Sequence, residues 1–209
     1  MIKIKIQEEV NMKFFYCPRT RAARIYWLLE ELGIDYELVT VDVRSGEGRD
    51  DPDFLAASPM GKVPAIVDGE VRMAETAAIA LYLADKYSMG TLAPELDNPL
   101  RGQYLYWMVY TPAVIEPAMM EKFAGTESNP FQSGWGSFDL MVETLEKGIG
   151  EGPWLLGERF SAADVLVGLS ANFMKQFGML SDNPAIDAYV ERCTARPAFQ
   201  KLQAFEAED

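Results

Sequence analysis

Apolar and polar positions change rhythm along the first third of the chain. Lys13-Phe14-Phe15-Tyr16 is a short apolar run with the look of a strand, closed by Cys17-Pro18. Cys17-Pro18 is expected to open a helix, with the cysteine near the cap and the proline at the first helical position. From Ala22 to Leu32 the apolar residues Ile25, Leu28, Leu29 and Leu32 recur at helical spacing, and Gly33 stands where such a helix stops. Tyr36 to Val43 alternates imperfectly, with valines gathered on one face, and predicts a second strand. A strand–helix–strand unit implies a right-handed parallel crossover. Arg44 to Asp53 is polar and glycine-containing, so a loop or irregular helix is expected. Val63–Val67 and Glu70–Met73 flank Asp68-Gly69, a strong hairpin signal. A helix from Glu75 to Tyr87 completes an order β-α-β, irregular segment, β-β-α.

Beyond Ser88 the pattern turns helical throughout. Residues 88–99 carry glycine and two prolines with few large side chains and read as a linker. Leu100 to Phe123 is a long apolar stretch that Pro112 and Pro117 are expected to kink or break. Gly136 to Lys147 is amphipathic. Phe160-Ser161-Ala162-Ala163-Asp164-Val165 is a helix-start signal, with Ser161 as cap, Asp164 three positions on, and Phe160 against Val165 as a staple. Further helices are expected to about Phe177, from Pro184 to about Thr194, and from Pro197 onward. There is no internal repeat and no low-complexity tract.

Length and charge narrow the classes. The 209 residues suit one large domain or two small ones. A net charge of −13 argues against nonspecific nucleic-acid binding. No apolar run reaches membrane-spanning length, so no membrane partner is expected. Residues 1–11 lack the pattern of a signal peptide and read as an N-terminal extension, either an extra edge strand or a segment ahead of an alternative start at Met12. Two cysteines, Cys17 and Cys193, do not make a disulfide framework, which favours a reduced cytoplasmic protein. The chain has no histidine, so histidine acid–base catalysis and histidine metal sites are excluded, and no metal is expected. Arg19, Arg21 and Arg24 are the densest local basic group. Charge patterning alone reads them as a solvated helix start.

Chemistry gathers at two places. Gly61-Lys62-Val63-Pro64-Ala65-Ile66 puts a proline inside an apolar run, where it belongs at a strand start, an edge or a bulge, and makes Pro64 a candidate cis-proline. The backbone groups of the residue before it are available to pair with an extended peptide. Met73-Ala74-Glu75-Thr76 sets an acid and a hydroxyl at a helix start, where backbone amides favour an anion. Together they suit a small peptide carrying an amine and a carboxylate.

This arrangement resembles the thioredoxin-like domain of the cytosolic glutathione S-transferases, and the helical half resembles their all-α C-terminal domain. The segment Trp154-Leu155-Leu156-Gly157-Glu158-Arg159-Phe160-Ser161-Ala162-Ala163-Asp164 is similar to that family's helix-capping segment. Three separated motifs agree in order over roughly 12–205. The resemblance implies an α/β thioredoxin-like glutathione-binding domain over 12–87, a linker over 88–99 and an all-helical domain over 100–209. It implies glutathione as co-substrate, an electrophilic apolar acceptor between the domains, a detoxifying transferase activity and a homodimer. By position, Val63 pairs with the cysteinyl unit beside cis-Pro64, Glu75 and Thr76 hold the γ-glutamyl group, and Lys62 lies near the glycyl end. Threonine stands at position 76 where many members have serine, and it keeps the hydroxyl.

The residue that stabilises the thiolate is left open among three. Cys17 lies seven residues before Arg24, and Cys17-Pro18 looks like the omega-class Cys-Pro sequence, so it is the first candidate. A helix start and Arg19 or Arg21 are the expected sources of positive potential beside it. Thr20 matches the delta-class serine and comes second. Tyr16 comes third, because its strand position suggests a core role. A hydroxyl supports conjugation, whereas a cysteine forms a mixed disulfide and favours thiol transfer or reduction. A non-catalytic glutathione-binding scaffold is the remaining alternative. Tyr104, Trp107, Met108 and Thr111 share one helical face and are the candidate acceptor pocket, and Cys193 reads as core.

Overall fold

Alternation along the first strand decides how the sheet is covered. In the computed structural model, which describes residues 11–150 and 152–208, β1 (Met12–Tyr16) turns Phe14 and Tyr16 into one apolar cluster and Phe15 into another. Successive strand residues point to opposite faces, so a strand buried on both faces needs apolar residues at every position. β1 is central, in the order β2-β1-β3-β4. It runs parallel to β2 (Glu37–Thr40) and antiparallel to β3 (Ala65–Asp68), which pairs antiparallel with β4 (Val71–Ala74). Helices α1 (Ala22–Leu32) and α3 (Thr76–Ser88) cover the face of Phe14, Tyr16 and Ile66. The opposite face, with Phe15, Ala65 and Val67, is covered by α2 (Pro52–Ala57) through Phe54 and Ala57.

Local chemistry explains most of the boundaries. Gly33 ends α1 in the left-handed region (φ 64°), its N–H bonding the Leu29 carbonyl. The segment expected to be a loop or irregular helix, 44–53, is largely turns, and α2 begins only at its end with Pro52 and Asp53 and runs past it to Ala57. Asp51 caps it by accepting from the N–H groups of Asp53 and Phe54 at 2.8 and 3.0 Å, with Pro52 in its first turn. The start of α1 differs from expectation. Cys17-Pro18 lies in a turn, not at the helix cap, because Arg19 takes φ 56° and interrupts any helix there. Thr20 supplies the cap-like contact, its Oγ accepting from the Ala22 N–H at 3.2 Å. The extra edge strand considered for residues 1–11 lies outside the described residues, apart from Asn11, whose carbonyl accepts from the Gly69 N–H.

The remaining helices are α4 (Arg101–Tyr110), a π-helical turn (Thr111–Ile115), α5 (Glu116–Ala124), α6 (Phe138–Ile149), α7 (Ala162–Gln176), α8 (Pro184–Thr194) and α9 (Pro197–Ala207). Pro112 falls in the π turn and Pro117 in the first turn of α5, so the expected break is a widened turn between two helices. α7 is the most enclosed helix. At its start the buried Asp164 accepts four hydrogen bonds. Oδ2 takes the Ser161 N–H and Oγ–H at 2.9 and 3.0 Å, and Oδ1 takes the Leu155 N–H and Tyr189 O–H at 2.9 and 3.0 Å. Burial still pushes its pKa up to about 6, against the pull of those bonds. α1 docks on α7 and α9 through Trp27, which meets Phe199 edge-on at 5.0 Å and Phe160 at 6.0 Å. Cys193 is in this core, against Gly168, and burial pushes its thiol pKa up.

Candidate active site

Four chain segments meet at one end of the sheet. The antiparallel register pairs Phe15 with Ala65, so Tyr16 and Cys17 leave the sheet at the end where Val63 and Pro64 enter it. The β3–β4 register pairs Ala65 with Ala74, so Glu75 follows β4 at the same end. β2 runs parallel to β1, so the loop that follows it opens at the same end. The end of β1, the end of β2, the start of β3 and the start of α3 therefore share one rim, a place where a ligand meets several loops at once.

The segment before β3 is shaped for an extended partner. The buried Ser58 clamps Lys62 on both sides, its hydroxyl accepting from the Lys62 N–H at 2.9 Å and donating to the Lys62 carbonyl at 2.7 Å. The Val63–Pro64 peptide is cis, as the sequence suggested. Turn bonding ends at Lys62 and strand pairing begins at Ala65, which leaves Val63 between the two. Arg49 lies against Gly61, where an added Cβ would sit 2.5 Å from its guanidinium.

At the start of α3, Glu75 takes φ 70° and ψ 114°. A non-glycine residue held there is strained, and strain of this kind gathers at functional positions. Glu75 is exposed, Thr76 is half-buried, and neither side chain has a hydrogen bond or ion pair among the described residues. The first amides of α3 have no acceptor inside the helix and present a positive field beside them. An acceptor for an amine and a set of donors for a carboxylate are adjacent here.

The thiol end differs most from expectation. Cys17 is 1% exposed, and the cation at its sulfur belongs to Arg44, in the loop after β2. Arg44 Nη1 stands 3.4 Å from Cys17 Sγ, and Nη2 donates to the Pro18 carbonyl at 3.3 Å. Arg21 and Arg24 face elsewhere. Both pair with Glu116 of α5 at 2.7 Å, and Arg24 also donates to Ser170 of α7 at 2.8 Å. Arg24 is therefore a buried tether and not part of a solvated cluster. Burial lowers its pKa, and Glu116 opposes the shift. A basic residue just past a strand parallel to β1 was the available signal for Arg44.

The other candidates are redistributed by packing. Thr20 gives its hydroxyl proton to the Cys17 carbonyl at 2.7 Å, so it braces the turn. Tyr16 is buried and donates to Glu206 of α9 at 2.7 Å, which directs its hydroxyl to that helix. The residues expected to line the acceptor pocket have little surface open to a ligand. Tyr104, Trp107, Met108 and Thr111 are all buried in the helical core, with Trp107 against Gly148 of α6. Their spacing identified one helix face correctly, but both faces of α4 are apolar, and the other, with Leu105, Tyr106 and Val109, is the exposed one. Lys62 is exposed at the rim.

Comparison with known proteins follows the same outline. The family profile "Glutathione S-transferase, N-terminal domain" matches residues 10–85. The chain is 31% identical to the disulfide-bond oxidoreductase YfcG of Escherichia coli (strain K12), across 88% of this chain and 90% of that protein. It is 30% identical to glutathione S-transferase 3 of Zea mays, across 92% and 93% of the two chains. Among solved structures, a glutathione transferase homolog from Sulfitobacter with bound glutathione is similar with a TM-score of 0.74 and 26% identity, over 93% of this chain and 98% of that one.

Proposed function

Because the chain belongs to the glutathione S-transferase family, we propose that it is a glutathione-dependent transferase working at the shared rim of the sheet. Residues 12–87 are read as the glutathione-binding unit, joined through 88–99 to a helical unit over 100–209. The Val63 backbone pairs with the cysteinyl unit of glutathione beside Pro64. Glu75 takes the γ-glutamyl amine, while the Thr76 hydroxyl and the first amides of α3 take its carboxylate. Lys62 lies toward the glycyl carboxylate. The observation that carries this reading is the register that pairs Phe15 with Ala65, which brings the cis Val63–Pro64 segment to the end of the sheet where Cys17 follows β1, so that a glutathione laid along Val63 has its sulfur at that end. The acceptor is electrophilic and apolar. It enters beside α5, where Met120 and Phe123 are exposed on the helical face that begins at Glu116 and its pair with Arg21. The exposed face of α4 is read as the surface on which two copies pair.

A second reading is favoured by the contact between Arg44 and Cys17. The guanidinium lies at the sulfur, where it can orient a bound disulfide, and exchange proceeds by sulfur attack on that disulfide. In that reading Cys17 attacks the glutathione sulfur of a mixed disulfide, and the partner leaves as a thiolate that takes up a proton. A second glutathione thiolate then attacks the Cys17–glutathione disulfide, giving oxidised glutathione and restoring the Cys17 thiolate. The available Glu75 and Thr76 side chains weigh against a scaffold without turnover.

The test is Cys17→Ser with two assays. Reduction of a mixed disulfide of glutathione and 2-mercaptoethanol is expected to disappear, because serine forms no covalent intermediate. Conjugation of an aromatic halide is expected to persist, because a hydroxyl still donates to the glutathione thiolate. Full disulfide reduction by Cys17→Ser rules out covalent chemistry at this position.

A further inference from the structure

Glu206 belongs to the last helix in the chain, yet one of its oxygens reaches the turn that carries Cys17. Oε1 accepts from the Tyr16 hydroxyl at 2.7 Å and from the Arg19 backbone N–H at 3.0 Å. These contacts span 190 and 187 residues of sequence. We infer that Glu206 is a positioning residue for the thiol site, a latch by which α9 fixes the Cys17–Thr20 turn. Its effect on turnover rests on the glutathione reading above, whereas the latch itself rests on geometry alone.

The turn needs such a partner. Pro18 has no N–H to contribute, and its carbonyl is taken by Arg44. The Cys17 carbonyl is taken by the Thr20 hydroxyl, which also accepts from the Ala22 N–H. Arg19, at φ 56°, holds a conformation that a side chain of its type resists, and its N–H goes to Glu206. Without an acceptor there, the simplest relaxation is for Arg19 to leave the left-handed region. That movement shifts Cys17 relative to Arg44 and Val63.

α9 is built to hold that acceptor still. At its beginning Arg196 grips Glu31 of α1 with two bonds of 2.6 and 2.7 Å, and Lys201 meets Glu30 at 2.8 Å. Near its end Phe205 stacks on Tyr26 of α1 at 4.8 Å and meets Tyr16 edge-on at 5.4 Å. The helix is pinned along α1, and its last turn presents Glu206 to the residues just before α1. The half-buried carboxylate acts as an acceptor for two fixed donors, so an amide oxygen at the same place serves the same purpose.

The test uses the full chain with Glu206→Ala, Glu206→Gln and Tyr16→Phe. Amide hydrogen exchange is read at Arg19 and at α7, and turnover is read with the mixed disulfide of glutathione and 2-mercaptoethanol. In Glu206→Ala, exchange at Arg19 is expected to rise at least about tenfold while α7 stays protected, because an unpaired turn amide opens locally. The kcat is expected to fall about 5- to 10-fold with the KM for glutathione within about twofold, the split produced by misplacing the sulfur and not the peptide. Glu206→Gln is expected to keep both readouts within about twofold of the parent protein, because the acceptor survives. Tyr16→Phe is expected to leave Arg19 protected. Unchanged Arg19 exchange in Glu206→Ala overturns the latch, and so does a Gln variant as impaired as the Ala variant. Raised exchange with an unchanged kcat overturns the positioning role. Raised exchange in a protein whose parent form does not reduce the mixed disulfide overturns the disulfide-exchange reading and leaves the latch supported.

Discussion

Asp164→Ala is the sharpest test of how the helical part supports the site. The carboxylate is fully buried and accepts from two backbone amides and two hydroxyls. Removing it leaves the Leu155 and Ser161 N–H groups in place with nothing to receive them, whereas the Tyr189 and Ser161 hydroxyls can turn. An unsatisfied buried donor costs about 1–3 kcal/mol, so the two amides cost roughly 2–6 kcal/mol. The substitution also removes a charge that the interior disfavours, and the net loss expected at pH 7 is about 2–4 kcal/mol. Burial raises the folded pKa of Asp164 to about 6 from an ordinary 3.8, so the native state binds the extra proton between those values. The parent protein therefore gains stability from this group as pH falls through 6 and loses it as pH rises, while alanine has nothing to titrate. The destabilisation should thus be about 1 kcal/mol larger at pH 5 than at pH 7. Urea unfolding of both proteins at the two pH values measures it. A loss below about 1 kcal/mol, or one equal at both pH values, refutes this account of the helix start.

Other consequences are open to direct measurement. Glu75→Ala and Thr76→Ala are each expected to weaken glutathione binding by about 1.5–3 kcal/mol with the unfolding midpoint unchanged; calorimetric titration giving parent affinity for both removes the proposed site. Ser161→Ala keeps its backbone bond to Asp164 but loses the hydroxyl and its part in the capping box, so it should cost about 1 kcal/mol and spare glutathione affinity. A Cβ at Gly148 would stand 2.0 Å from the Trp107 ring, so Gly148→Ala should destabilise by about 1–3 kcal/mol in thermal unfolding. Light scattering at micromolar concentration should give the mass of a dimer, and Val109→Glu on the exposed face of α4 should shift it toward the monomer; a monomeric parent protein contradicts the pairing surface.

Features that depend on near neighbours could be read directly along the chain. The period of two in Phe14-Phe15-Tyr16, the helical spacing of Ile25, Leu28, Leu29 and Leu32, the stop at Gly33 and the Ser161–Asp164 start are each written within one or two turns of chain. The cis bond at Pro64 and the acid and hydroxyl at the start of α3 were legible for the same reason. Tertiary structure decided which partner each face and charge met. Helical spacing gathered Tyr104, Trp107, Met108 and Thr111 on one side of α4 and the π turn that follows it, but spacing carries no information about what lies opposite, and α6 and α7 took that side as core. The helix start and Arg19 or Arg21, near Cys17 in sequence, were the expected source of positive charge. Arg21 and Arg24 were drawn to Glu116 instead, and Arg44 reached the sulfur because a parallel strand pair brings the end of β2 beside the end of β1. Glu206 had no local signal at all. A lone glutamate on a helix surface reads as solvated, and only the docking of α9 along α1 carries it to the Arg19 amide, because packing joins residues by surface complementarity and not by their separation along the chain.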